Sequence, residues 1–194
     1  YTPNGEATKD VTTIGLKYAK ERPKYQILTR PVLNTSFTIP AGETNHEVKS
    51  SYVFKEDAHL TSLMPHMHLR GKDMAIRLIY PDAREETVLK AKFNFNWQLG
   101  YEVEKPIKVP RGTKMIVTAH HDNSANNPFN PTPGQAVSWG EMTSQEMMLP
   151  WFGVVVDGDA QPEMIASYKP GDLDGPFPMP PDRKVVMQRP TVFT

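Results

Sequence analysis

Cysteine is absent from the 194 residues. That excludes disulfides, thiolate metal sites and a cysteine nucleophile. An excess of charge of one sign is absent too, because Lys+Arg and Asp+Glu number 22 each. A balanced chain has no basic footprint for nucleic acid and no strong field for acidic partners, so no nucleic-acid partner is expected. No apolar run approaches the length of a bilayer span and no secretory leader opens the chain, so no membrane contact is expected. Long amphipathic helical periodicity is also missing. The best helical stretch is the short SQEMML at 144–149.

Proline and methionine are plentiful, with 19 and 10 residues. Many prolines with few helix-compatible runs point to short strands joined by turns. Period-two patterns with β-branched and aromatic residues support this: VTTIGLKYAK (11–20), TSFTI (35–39), VKSSYVF (48–54), AIRLIY (75–80), TVLKAKFNF (87–95), KMIVTAHH (114–121) and WFGVVV (151–156). Turn chemistry separates them, as in IPAG (39–42), YPDA (80–83) and VPRG (109–112). The spacing predicts an antiparallel β-sandwich. NSANNPFNPTPG (123–134) reads as a long polar loop of the kind that often carries function. After about Asp157 the composition changes, and GDLDGPFPMPPDRK (171–184) reads as part of a Pro-rich arm or tail over 159–194.

The chemistry concentrates in SLMPHMHLRGKD (62–73). On a strand, His66 and His68 share a face, about 6.6 Å apart along the backbone, while Met67 points the other way. Two imidazoles so placed can converge on one ion, or can be two partly exposed histidines with no ligand. HxH alone does not choose between copper, zinc and iron. Third-ligand candidates are His120 or His121, Asp122, and a methionine of GEMTSQEMML (140–149). Carboxylate would suit zinc or iron, whereas a thioether suits copper. The plain alternative for Met147 and Met148 is core filling. His46 and His59 read as surface residues and Trp97 as core. Asp157, Asp159, Asp172 and Asp174 lack calcium-loop spacing and read as solvated turns.

HMHLRGK (66–72) resembles the HxHLxG(K/R) segment of the type II copper, ascorbate-dependent monooxygenases, the dopamine β-monooxygenase and peptidylglycine α-hydroxylating monooxygenase family. VPRGTKMIVTAHHDN (109–123) resembles that family's Pro-Gly turn and following strand, and MTSQEMM (142–148) its segment ending in Glu-Met. TIPAG (38–42) falls where the family opens its second domain, and the order and spacing agree over about residues 1–156. The resemblance implies a jelly-roll-like sandwich over 25–158 and one copper, the CuM site, held by His66, His68 and Met147, with His120 as the fallback third ligand. It implies dioxygen as cosubstrate, ascorbate as external reductant, hydroxylation of a substrate C–H bond and an extracytoplasmic setting. Residues 1–24 would be the terminal strand of an upstream CuH domain, whose own copper ligands precede this chain. Where the peptide-hydroxylating members place Arg, Asn and Tyr on a peptide carboxylate, this chain has Met64, Leu149 and Trp151. A peptide C-terminus is therefore not the expected substrate. The competing expectations are a non-catalytic copper-binding sandwich and a metal-free interaction domain.

Overall fold

The computed structural model describes residues 5–157. Ten strands form among them: β1 (Tyr25–Pro31), β2 (Thr38–Ile39), β3 (His46–Val53), β4 (Ala58–Met64), β5 (Gly71–Ile79), β6 (Glu85–Lys92), β7 (Tyr101–Val109), β8 (Lys114–His121), β9 (Val137–Ser138) and β10 (Trp151–Asp157). No helix occurs among the described residues. Two four-stranded sheets, in the orders β1-β10-β4-β7 and β3-β8-β5-β6, are joined by a small β2-β9 ribbon. All the pairings between these strands are antiparallel. The chain passes from one sheet to the other at most connections, and only β5–β6 is a simple hairpin within a sheet.

Alternation decides what each strand buries. In β8, Met115, Val117, Ala119 and His121 point inward while the residues between them are partly exposed. The inward sets of both sheets meet in one core. There Tyr52 of β3 and Phe152 of β10 lie edge to face with ring centroids 4.9 Å apart. Leu60, Ile76, Leu78 and Val154 are fully buried in that core. Each contributes roughly 1.5–3 kcal/mol by leaving water. The sheet edges are polar: β7 carries Glu102, Glu104, Lys105 and Pro106, and β6 carries Glu85, Glu86, Lys90 and Lys92. Charge and proline on an edge discourage pairing with another chain.

Three expectations need correction. Residues 11–20 form no strand, and Val11, Ile14, Leu16 and Tyr18 are exposed. Alternation prepares a strand, but a strand exists only where a neighbouring backbone completes its ladder. The SQEMML segment is not helical: Ser144 and Gln145 end a turn and the chain is extended from Glu146, for reasons that emerge at the site below. Trp97 is 70% exposed rather than core. It follows the end of β6 in a turn closed by its N–H on the Asn94 carbonyl at 2.9 Å, where period two no longer sets which side is buried. The arm at 159–194, with Asp159, Asp172 and Asp174, lies outside the described residues.

Candidate metal centre

The site grows out of the β4–β10 ladder. Ser62 pairs with Gly153, Leu63 with Phe152 and Met64 with Trp151. Pro65 and Pro150 then face each other, and neither has an N–H to give. Beyond them the pairing resumes in the same register: Met67 bridges Met148, and the Leu149 N–H donates to the His66 carbonyl at 3.0 Å. Antiparallel partners share a face, and neighbours along a strand alternate. Met67 and Met148 accordingly enter the main core with Leu63 and Phe152. His66, His68, Met147 and Leu149 take the opposite face. There Met147 and Leu149 join Leu33, with Trp139 and Trp151 packed alongside. Sequence separates His68 and Met147 widely, yet the register makes them cross-strand neighbours.

Hydrogen bonds fix the two imidazoles. His66 Nδ1 lies 2.6 Å from Gln98 Oε1. The Gln98 amide nitrogen donates to the Phe95 carbonyl at 3.1 Å, so its oxygen must accept and His66 must donate. His68 Nδ1 donates likewise to the Gln145 carbonyl at 3.2 Å. Each ring is thereby held as the Nδ1–H tautomer with an Nε2 lone pair left for a metal, the arrangement that orients metal-binding histidines. The rings are nearly perpendicular, with centroids 5.3 Å apart. Burial pushes the His68 pKa down, which keeps it neutral as a ligand must be. Among the described residues no three His, Asp or Glu side chains gather into a metal-binding group. Met147 stands on the same face as the two imidazoles.

Behind the face is a buried polar cluster that the sequence motifs do not announce. One Glu146 oxygen accepts the Arg70 N–H at 2.6 Å, and the other accepts the N–H groups of His68 at 3.0 Å and Met147 at 3.1 Å. A single carboxylate thus ties the histidine strand to the methionine strand. These three bonds also supply the reason SQEMML is not a helix, since they require its backbone extended beside residues 68–70. Burial pushes the Glu146 carboxyl up to about 7, against the opposing pull of the three N–H donors and Arg70. Arg70 is itself fully buried. Its Nε donates to Asn123 Oδ1 at 2.7 Å, and its terminal nitrogens donate to the Ser144 carbonyl and Thr132 Oγ1, each at 3.0 Å. The polar loop at 123–134 therefore folds around Arg70. A charged residue just after HxH and a Glu just before the methionine were the available signals.

The other histidines stand apart. On β8, His120 alternates with the inward His121 and faces out from the second sheet. There its Nδ1 pairs with Asp73 at 2.7 Å and its Nε2 lies 3.8 Å from Glu47, so the fold does not bring it to His66 and His68. His59 is exposed and His46 pairs in register with His121. Asp122 caps a turn by accepting the Ser124 N–H at 2.9 Å.

His121 is fully buried, with Nε2 donating to the Met147 carbonyl at 3.2 Å and lying 3.6 Å from Glu146. Burial drives its pKa from 6.5 down to about 4. Between those pH values the unfolded chain binds the proton and the folded chain does not, so this residue favours folding above pH 6.5 and the benefit is lost as pH falls. Phe37 stacks on the ring with centroids 5.7 Å apart, so His121→Phe keeps aromatic packing. In denaturant melts, the stability of the wild type relative to His121→Phe should fall by about 3 kcal/mol from pH 6.5 to pH 4. A pH-independent difference would show that His121 is not neutral and buried.

No protein-family model and no curated protein matches the chain. Among solved structures, a chain of the T13 IBDV viral particle is similar over 76% of this chain and 36% of its own length, at 7% identity and a TM-score of 0.34. A chain from the structure of the infectious bursal disease virus Gt strain is similar over 80% of this chain and 40% of its own, at 10% identity and a TM-score of 0.31. The chain thus spans well under half of either. Likeness of this degree carries no functional argument.

Proposed function

We propose that this chain is a copper-binding, dioxygen-activating domain of the CuM type, part of an ascorbate-dependent monooxygenase that hydroxylates a C–H bond. The observation that carries the reading is the register across the Pro65–Pro150 gap, which sets His66, His68 and Met147 on one face with each ring's Nδ1 held by an oxygen acceptor. Two neutral imidazoles and a thioether suit copper, since soft sulfur favours Cu(I). Copper held there would supply dioxygen binding and electron transfer to oxygen. Gln98 and the Gln145 carbonyl orient the imidazoles, and Glu146 holds the two ligand strands at fixed spacing. The overall change adds one atom of dioxygen to the C–H carbon and releases the other as water. It consumes two protons and two electrons, the electrons coming from ascorbate through a second copper in a preceding domain.

A metal-free reading is favoured by one observation: Met147 is only 7% exposed and packs among Leu33, Leu149, Trp139 and Trp151. X-ray absorption of the chain titrated with Cu(I) separates the two. One copper per chain, with nitrogen and a sulfur scatterer in its shell, is the expected result. Binding without sulfur would make Met147 a packing residue, and no stoichiometric binding would remove the proposal.

A further inference from the structure

A cavity of about 310 Å³ opens beside the candidate centre. It lies at the next rungs of the same ladder, where Met64 faces Trp151 and Ser62 faces Gly153. Thr29, paired with Gly153 on β1, and Gly100 complete the rim. Gly153 leaves the floor bare, since a Cβ there would run into the Ser62 hydroxyl. The ladder keeps its register across the proline pair, so Met64 and His66 are successive side chains on one face, about 6.6 Å apart along the strand. The groove therefore lies one side chain along the strand from His66.

We propose that this groove takes a neutral, apolar small molecule and presents it to the His66–His68–Met147 face as the substrate, an inference that rests on the copper reading above. No charged side chain lines the cavity. An ionised ligand would lose hydration there without gaining a partner. The volume lies at the small end of the roughly 300–1,000 Å³ of small-molecule pockets and is too small for a folded partner's side. Trp151 offers a flat apolar wall, and Met64 a flexible one that adapts to its contents.

Three probes with one skeleton test this on the 194-residue chain: ethylbenzene, phenylacetate and phenethylamine. In the metal-free protein, ethylbenzene should shift the Met64 methyl and Trp151 indole N–H resonances, and bind about tenfold or more tighter than either charged probe. Met64→Arg should narrow that gap for phenylacetate and not for phenethylamine. With Cu(II) bound as a paramagnetic probe, the ethylbenzene lines should broaden. Equal binding of the charged probes overturns the proposal, as do shifts confined to other parts of the chain. Concentration-dependent shifts of Trp151 without any probe would assign the groove to a second copy and overturn it as well. Unbroadened ethylbenzene in a protein whose His66 and His68 hold copper overturns the substrate role and leaves the copper reading standing. Failure of copper to bind removes that reading and the substrate role with it, while the metal-free ranking still reports on the groove.

Discussion

Glu146→Ala should lower the free energy of unfolding by about 3–5 kcal/mol, the range for breaking a buried charged cluster by removing one partner. Three backbone donors, on His68, Arg70 and Met147, lose their acceptor. Arg70 is left fully buried without the nearby carboxylate. A single buried, unsatisfied donor costs about 1–3 kcal/mol, so the sum is bounded by how far water enters to replace the carboxylate. Glu146→Gln keeps an acceptor oxygen and should lose less. The comparison is Glu85→Ala, which breaks the exposed pair with Arg77 at 2.6 Å and should cost under about 1 kcal/mol. Urea melts at pH 7 of all three variants check the ranking. Equal destabilisation by Glu146→Ala and Glu85→Ala would mean that the cluster is not what joins the two strands.

His68→Ala should weaken both Cu(I) and Cu(II) by about a hundredfold or more, because it removes one of two nitrogen donors outright; losing an outer-shell partner alone typically costs 10–100-fold. Met147→Leu should weaken Cu(I) by at least about tenfold and leave Cu(II) nearly unchanged, since a thioether is a poor Cu(II) ligand. Volume and apolarity are kept, so the metal-free protein should lose less than about 1.5 kcal/mol. Met148→Leu is the control. It sits one residue along and faces the main core, where it bridges Met67. Competition titrations with Cu(I) and Cu(II) chelators measure both affinities for the wild type and the three variants. If Met147→Leu and Met148→Leu bind Cu(I) alike, the sulfur at 147 is core and nothing more.

The sequence was most legible where a strand lies between two neighbours. KMIVTAHH reads as a strand and is one, because central β8 has one face in the core and period two records it. YEVEKPIKV (101–109) carries no clear strand signal, because β7 is an edge strand whose exposed charges and Pro106 blur the alternation. AHLTSLM (58–64) begins the ladder that carries the site, but its turn signals are weak. The HxH pair and the Glu-Met segment were visible as motifs. Their meeting was implied by the family resemblance alone and not by the local pattern, because register across the sheet depends on partners over seventy residues away. The Glu146–Arg70–Asn123 cluster was hidden for a simpler reason: a buried charge looks like any surface charge until its partners are known. At Trp97 local pattern promised burial, and over 11–20 it promised a strand, that no partner among the described residues delivers.

The opposed prolines at 65 and 150 bear on how this chain can change its length. Deleting one residue between 62 and 68, or inserting one between 147 and 153, would turn every side chain beyond the change to the other face. His66 and His68 would enter the core, Met67 would come out, and a proline ring would stand where a ladder hydrogen is needed. The loop at 123–134 is bound by no such parity, provided Asn123 and Thr132 still reach Arg70. Among descendants of this sequence, additions and losses should therefore accumulate between those two anchors and be missing from the two seven-residue stretches that bracket the prolines.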